Sequence, residues 1–250
     1  MSVVGVVFVL KKNVNLNITS SDALIIADVQ KDFLPGGALG IKDGDQIIPV
    51  LNEYITIFKE ANAKVVASRD WHPSNHVSFQ AQGGQWPPHC VQDTEGAQFS
   101  PNLKLPDIVT IVSKATDPNK EAYSVFDGTG LANQLISQGI TRIFIGGLAT
   151  DYCIVNSVLD AKKAGLDAVV LTDGVCGIDV NPGDVDRAFE KMAANGATQV
   201  NLADFPDPEI LPIQDNPTED IVDEKIVNNE IKRKARMRSK GTIKVPREGR

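Results

Sequence analysis

Short apolar runs rich in β-branched residues recur along the chain from about residue 23 to 205. They are "ALIIAD" ending at Asp28, "KVVASRD" ending at Asp70, "DIVTIVSK" ending at Lys114, "TRIFIGG" ending at Gly147, "DAVVLTD" ending at Asp173 and "ATQVNL" near Leu202. Between them the apolar spacing lengthens to a helical period over roughly 45–62, 129–139, 150–165 and 183–195. The last three helical stretches finish near Gly139, Gly165 and Gly196, where glycine can take the left-handed stop conformation. Strands that are apolar throughout, rather than alternating, indicate a sheet covered on both faces. The predicted fold is α/β, a doubly wound three-layer α/β/α sandwich with a mainly parallel sheet. In such sheets ligands bind beyond the carboxyl ends of the strands. Asp28, Asp70, Lys114 and the turn "GGLATDYC" (146–153) all fall there.

Outside this region the pattern stops. Residues 1–22 contain the apolar run "VVGVVFVL", far below the ~20 residues of a membrane span. No basic stretch precedes it and no small-residue cleavage site follows, so it reads as an arm or an extra strand. Residues 206–250 begin proline-rich and acidic, then turn basic, and are expected to form a mobile tail. The net charge of −7 hides this division. Residues 1–224 carry 15 basic and 30 acidic side chains, whereas 225–250 carry 10 basic and 2 acidic. So acidic a body argues against nucleic acid as the partner of the folded domain, and no segment argues for a membrane. Three cysteines, Cys90, Cys153 and Cys176, make no disulfide framework. They read as reduced thiols in a cytoplasmic protein.

The chain's only three histidines, His72, His76 and His89, lie within eighteen residues, with Asp70 two positions before the first. On a strand, positions i and i+2 point the same way, so Asp70 and His72 aim at a common point. His89 returns to it after a loop stiffened by "WPP". One carboxylate and two imidazoles suit a divalent transition metal with coordination positions left open. His76 is either a fourth ligand or a group that braces the loop. The same ligand set serves non-haem iron oxygenases, so the metal alone does not define the reaction.

Cys153 falls in the first turn of a helix for which Thr150 is the expected N-cap. The helix dipole there is expected to lower the thiol pKa. The backbone N–H groups of Ala149 and Cys153 are placed to hold an oxyanion. A cysteine nucleophile usually works with histidine, but every histidine here is committed to the metal. Asp28 is the remaining candidate base, with Lys114 holding thiolate and carboxylate by charge.

Five segments, "DVQKDFLPGG" (28–37), "SRDWHPSNH" (68–76), "WPPHC" (86–90), "SKATDPNKEAYSVF" (113–126) and "GLATDYC" (147–153), together resemble the nicotinamidase (pyrazinamidase) family of the isochorismatase-like cysteine hydrolases. The resemblance covers about residues 22–205. Isochorismatase relatives share the fold and lack the metal-binding histidines. The resemblance implies hydrolysis of nicotinamide, or pyrazinamide-like carboxamides, to the acid and ammonia in NAD salvage. It further implies a triad of Asp28, Lys114 and Cys153 acting through a thioester. Asp70, His72 and His89 would hold zinc, iron or manganese, and Phe33, Trp86 and Tyr123 would surround the pyridine ring. It also implies a cis peptide at Leu148–Ala149 and leaves room for a homo-oligomer. The competing expectations are a different small amide or ureido hydrolase on the same scaffold, an iron oxygenase, and a non-catalytic protein that binds a partner through the basic tail.

Overall fold

The structure, a computed structural model, describes residues 16–206. The greater part of the N-terminal arm (1–15) and nearly all of the C-terminal tail (207–250) lie outside the described residues. Six parallel strands form one sheet: β1 (Asp22–Ala27), β2 (Lys64–Asp70), β3 (Thr110–Lys114), β4 (Arg142–Leu148), β5 (Asp167–Cys176) and β6 (Thr198–Val200). Their order across the sheet is β3-β2-β1-β4-β5-β6. The helices are α1 (Ile47–Glu60), α2 (Leu131–Ser137), α3 (Val155–Lys163) and α4 (Asp184–Ala194).

Every residue of β1 is buried, and its side chains alternate between two cores. Leu24 and Ile26 join the α1 side with Leu51, Tyr54, Phe58, Phe144 and Leu171. Ala23, Ile25 and Ala27 join the opposite side with Leu131, Leu135, Val158, Ala161 and Met192. Helix α1 buries Ile47, Ile48, Leu51, Tyr54, Ile55 and Phe58, the one-sided stripe of a helix lying on a sheet. Each large apolar side chain so buried contributes about 1.5–3 kcal/mol. Helices α2, α3 and α4 end as the sequence predicts, with Gly139, Gly165 and Gly196 at φ of 80°, 86° and 80°. Residues 16–21, the end of the expected arm, form no strand, but Leu16 packs into the α1-side core.

From β1 the chain winds outward through β2 and β3, then returns to the other side of β1 with β4. The winding direction therefore switches between β1 and β4, and a crevice opens at their carboxyl ends. Glycine is required at this junction. A Cβ on Gly147, at φ 124°, would sit 2.0 Å from the Ala27 carbonyl oxygen, so only glycine lets β4 approach β1 here. The register between β4 and β5 shifts between Ile145 and Gly147, and β5 runs on to Cys176, past the predicted end at Asp173. The peptide Leu148–Ala149 is cis.

Candidate active site and metal centre

Four strand ends supply the site. Asp28 follows β1 at φ 55°, Asp70 closes β2, Lys114 closes β3, and Cys153 follows β4. Cys90 and Ala115, next to His89 and Lys114, also have left-handed φ of 46° and 52°. Such conformations are costly away from glycine and concentrate where a side chain must be aimed.

The Lys114 ammonium is buried among three groups. Its Nζ is 3.1 Å from Asp28 Oδ2 and 3.4 Å from Cys153 Sγ, and it donates a short hydrogen bond to Asp70 Oδ1. The Ala122 carbonyl accepts a further bond at 3.3 Å. Asp28 Oδ1 accepts from Ser68 Oγ at 2.8 Å, while Oδ2, though close to Lys114, has no hydrogen-bond partner of good geometry. Asp28, Asp70 and Cys153 present atoms that all lie within 4.8 Å of one another. An acceptor oxygen thus faces the thiol, with its charge balanced by an ammonium.

The electrostatics follow from burial. Burial pushes the Asp28 carboxyl above its usual range, and Lys114 only partly opposes this. Burial disfavours the charge on Lys114 too, but Asp28 and Asp70 outweigh it and raise the lysine pKa. Burial likewise raises the Cys153 thiol well above its ordinary value, with Lys114 opposing. The expectation that the helix dipole lowers it is therefore overturned. The turn itself also differs from the expected one. Residues Thr150–Ile154 form a π-helical turn leading into α3, and the cap position is Ala149 with no side-chain cap. Thr150 lies inside the turn, its hydroxyl buried without a partner, so it is not the predicted N-cap.

The metal-type cluster is built beside this ammonium. Buried Gln30 grips Asp70 from both sides, donating to the Asp70 carbonyl at 2.7 Å and accepting from its N–H at 2.7 Å. His72 is held on the 90–92 segment by the bonds from His72 N–H to the Cys90 carbonyl and from Gln92 N–H to the His72 carbonyl. His72 Nδ1 lies 3.1 Å from the His89 carbonyl oxygen, and His89 Nδ1 lies 2.8 Å from that of Pro87. Carbonyl oxygens only accept, so both Nδ1 atoms carry the proton and both Nε2 lone pairs are bare. Burial lowers the His72 pKa to about 4, which keeps the ring neutral, the form that binds metal. The ligand atoms of Asp70, His72 and His89 lie within 4.8 Å of one another, close enough to converge on one ion.

Two other clusters meet the same spacing and fail on chemistry. Asp28, Asp70 and Cys153 surround the Lys114 ammonium, which already fills the place of a cation. His76, with His72 and Glu121, has both ring nitrogens engaged: Nε2 donates to the Lys120 carbonyl at 3.0 Å and Nδ1 pairs with Ser78 Oγ at 2.7 Å. Among the two roles expected for His76, this geometry favours bracing. It ties the 72–89 loop to the 115–123 segment and packs its ring 4.5 Å from that of His72.

A narrow cleft opens on these groups. It brings together Asp70, His72, His89, Ala149 and Cys153 with the three expected ring-binding residues, Phe33, Trp86 and Tyr123. Trp86 Nε1 donates to Tyr123 Oη at 3.1 Å, and Phe33 packs 5.4 Å from the His89 ring. Four further lining residues, Leu39, Glu121, Tyr152 and Ile178, were not singled out from the sequence. Tyr152 and Glu121 sit inside motifs quoted above. Leu39 and Ile178 carry no sequence signal.

Comparison with known proteins agrees with this geometry. The isochorismatase domain model matches residues 22–204. A nicotinamidase of Escherichia coli is 39% identical over 204 residues, covering 73% of this chain and 96% of its own length. The chain belongs to the nicotinamidase branch of the isochorismatase-like superfamily. Among solved structures, the pyrazinamidase of Pyrococcus horikoshii in complex with zinc is 51% identical, with a TM-score of 0.70 over 72% of this chain and 99% of that one. PnC1 from L. infantum in complex with nicotinate is 34% identical, with a TM-score of 0.69 over 76% of this chain and 98% of that one.

Proposed function

We propose that this protein is a metal-dependent nicotinamidase, hydrolysing nicotinamide to nicotinate and ammonia through a cysteine thioester in NAD salvage. The observation that carries the reading is the convergence of Cys153, Lys114 and Asp28 with the Asp70, His72 and His89 cluster in one aromatic-walled cleft. An iron oxygenase has no use for the first three.

The ring of the substrate lies among Phe33, Trp86 and Tyr123, its carboxamide toward Cys153. Asp70, His72 and His89 would hold one divalent ion, zinc being the metal of the P. horikoshii relative. When bound, that ion would supply Lewis acidity to the pyridine ring. The thiol is protonated at rest, so attack must be coupled to proton transfer. Asp28 Oδ2 takes the Cys153 proton as sulfur bonds to the amide carbon, and Lys114 keeps the new charge distribution balanced. The N–H groups of Ala149 and Cys153 hold the oxyanion. Asp28 returns the proton to the nitrogen, the C–N bond breaks and ammonia leaves a nicotinoyl thioester. Water, relieved of a proton by Asp28, then attacks. The C–S bond breaks, nicotinate forms and the thiol is restored.

The same reading takes 23–205 as the hydrolase domain, flanked by the 1–22 and 206–250 segments. It places the enzyme in the cytoplasm, in keeping with the free Cys90, Cys153 and Cys176, and allows a homo-oligomer. Among the described residues no helix is long and apolar enough to cross a membrane. The direct test is ammonia release from nicotinamide, with and without chelator and thiol alkylation. Release abolished by each treatment separately supports the reading. Release that depends on oxygen and survives alkylation refutes it.

A further inference from the structure

The reaction turns a neutral amide into an anion inside the cleft, so any fixed charge on the cleft wall acts differently on substrate and product. The acidic residues on the wall are Asp70 and Glu121, and no lysine or arginine lines it. Asp70 shares the Lys114 ammonium with Asp28 and belongs to the His72 and His89 cluster, so its charge is engaged there. Glu121 has no ion pair among the described residues. Its one hydrogen bond comes from the adjacent Ala122 N–H, at 3.0 Å to Oε1. Its carboxylate nonetheless lies within 4.8 Å of ring nitrogens of both His72 and His76, on the metal side of the cleft. Tie by tie, the segment bearing Glu121 is fixed. His76 bonds to the Lys120 carbonyl, and Lys114 bonds to the Ala122 carbonyl.

We infer that Glu121 is a charge-selecting residue of this cleft, whose carboxylate admits neutral aromatic amides and weakens the hold on their carboxylate products. The inference rests on the nicotinamidase reading and deepens it by naming what distinguishes product from substrate. Two like unit charges sharing a half-solvated cleft, at an effective dielectric between those of protein and water, repel enough to weaken binding about five- to tenfold. An uncharged amide of the same shape feels no such repulsion.

The test compares wild type, Glu121→Gln and Glu121→Asp, all metal-loaded. It measures nicotinate dissociation constants by calorimetry, KM for nicotinamide, and metal content. The expected result is that Glu121→Gln raises the ratio of KM for nicotinamide to the nicotinate dissociation constant about five- to tenfold. Glu121→Asp, keeping the charge, returns it toward wild type, and metal content stays equal in all three. An unchanged ratio, or loss of metal from Glu121→Gln, overturns the inference while leaving wild-type hydrolysis of nicotinamide, and so the function, intact. Failure of the wild-type protein to hydrolyse nicotinamide overturns both.

Discussion

Replacing Lys114 with methionine keeps an unbranched side chain, one atom shorter, and removes a single charge. That charge is the only cation in contact with Asp28 and Asp70 among the described residues. At 3.1 Å, the Asp28 pair alone has an attraction of about 5 kcal/mol at an effective dielectric near 20. Much of this is offset by the cost of removing both ions from water. What the substitution exposes is the unpaired remainder, a buried carboxylate with no partner, and breaking such a pair costs about 3–5 kcal/mol. Asp28 escapes part of the cost by taking up a proton, which disables it as a base. Lys114→Met should therefore destabilise the chelator-treated protein by about 3–5 kcal/mol in urea unfolding, and abolish ammonia release. Asp28→Asn removes one of the orphaned charges in advance. In that background the same lysine substitution should cost at least about 1.5 kcal/mol less. Additive costs in the double variant, or a loss below about 1 kcal/mol in the single one, would refute the charge-balance reasoning.

Other consequences are as direct. Gly147→Ala forces a Cβ into the Ala27 carbonyl, so a loss above about 3 kcal/mol is expected, or about 6–12 °C in Tm; an unchanged Tm by calorimetry would contradict the close approach of β1 and β4. Asp70→Ala should lose metal on gel filtration and raise KM, whereas stoichiometric metal with an unaltered KM would exclude Asp70 as a ligand. In the metal-free protein, His72 has a folded pKa near 4, below the ~6.5 of the unfolded chain. The unfolded state therefore binds the extra proton between these values, and stability falls as pH drops through that window. Between pH 7 and pH 5 this group should cost the chelator-treated protein about 2 kcal/mol. Urea unfolding of wild type and His72→Asn measures it, and equal pH dependence in the two would refute it.

The strand ends were legible because long apolar runs closed by Asp28, Asp70 and Lys114 leave little choice of boundary. The glycine stops at Gly139, Gly165 and Gly196 fixed the helix ends for the same reason. The turn at Cys153 was misread because Thr150 before a helix is an ordinary capping pattern. Nothing local reveals that the chain enters α3 through a π-helical turn. The thiol pKa was misjudged for a related reason: sequence shows the dipole, whereas burial, which dominates, is a property of the assembled cleft. The metal set was visible as a spacing, but the roles within it were not. Only the carbonyl partners separate His72 and His89, with bare Nε2 atoms, from His76, whose nitrogens are both engaged. Lys114 was expected beside Asp28 and Cys153; its contact with Asp70, which couples the proposed triad to the proposed metal ligands, depends on the pairing of β2 with β3. Gln30 grips Asp70 by a long-range contact that no periodicity encodes.

Whether the sulfur of Cys153 bonds to the substrate carbon is settled by acid-quenching the metal-loaded enzyme during turnover of nicotinamide and mapping its peptides by mass spectrometry. A nicotinoyl group on the peptide bearing Cys153, absent from Cys153→Ala, which keeps its metal but releases no ammonia, is the expected result. Ammonia release by Cys153→Ala at the wild-type rate would contradict covalent catalysis.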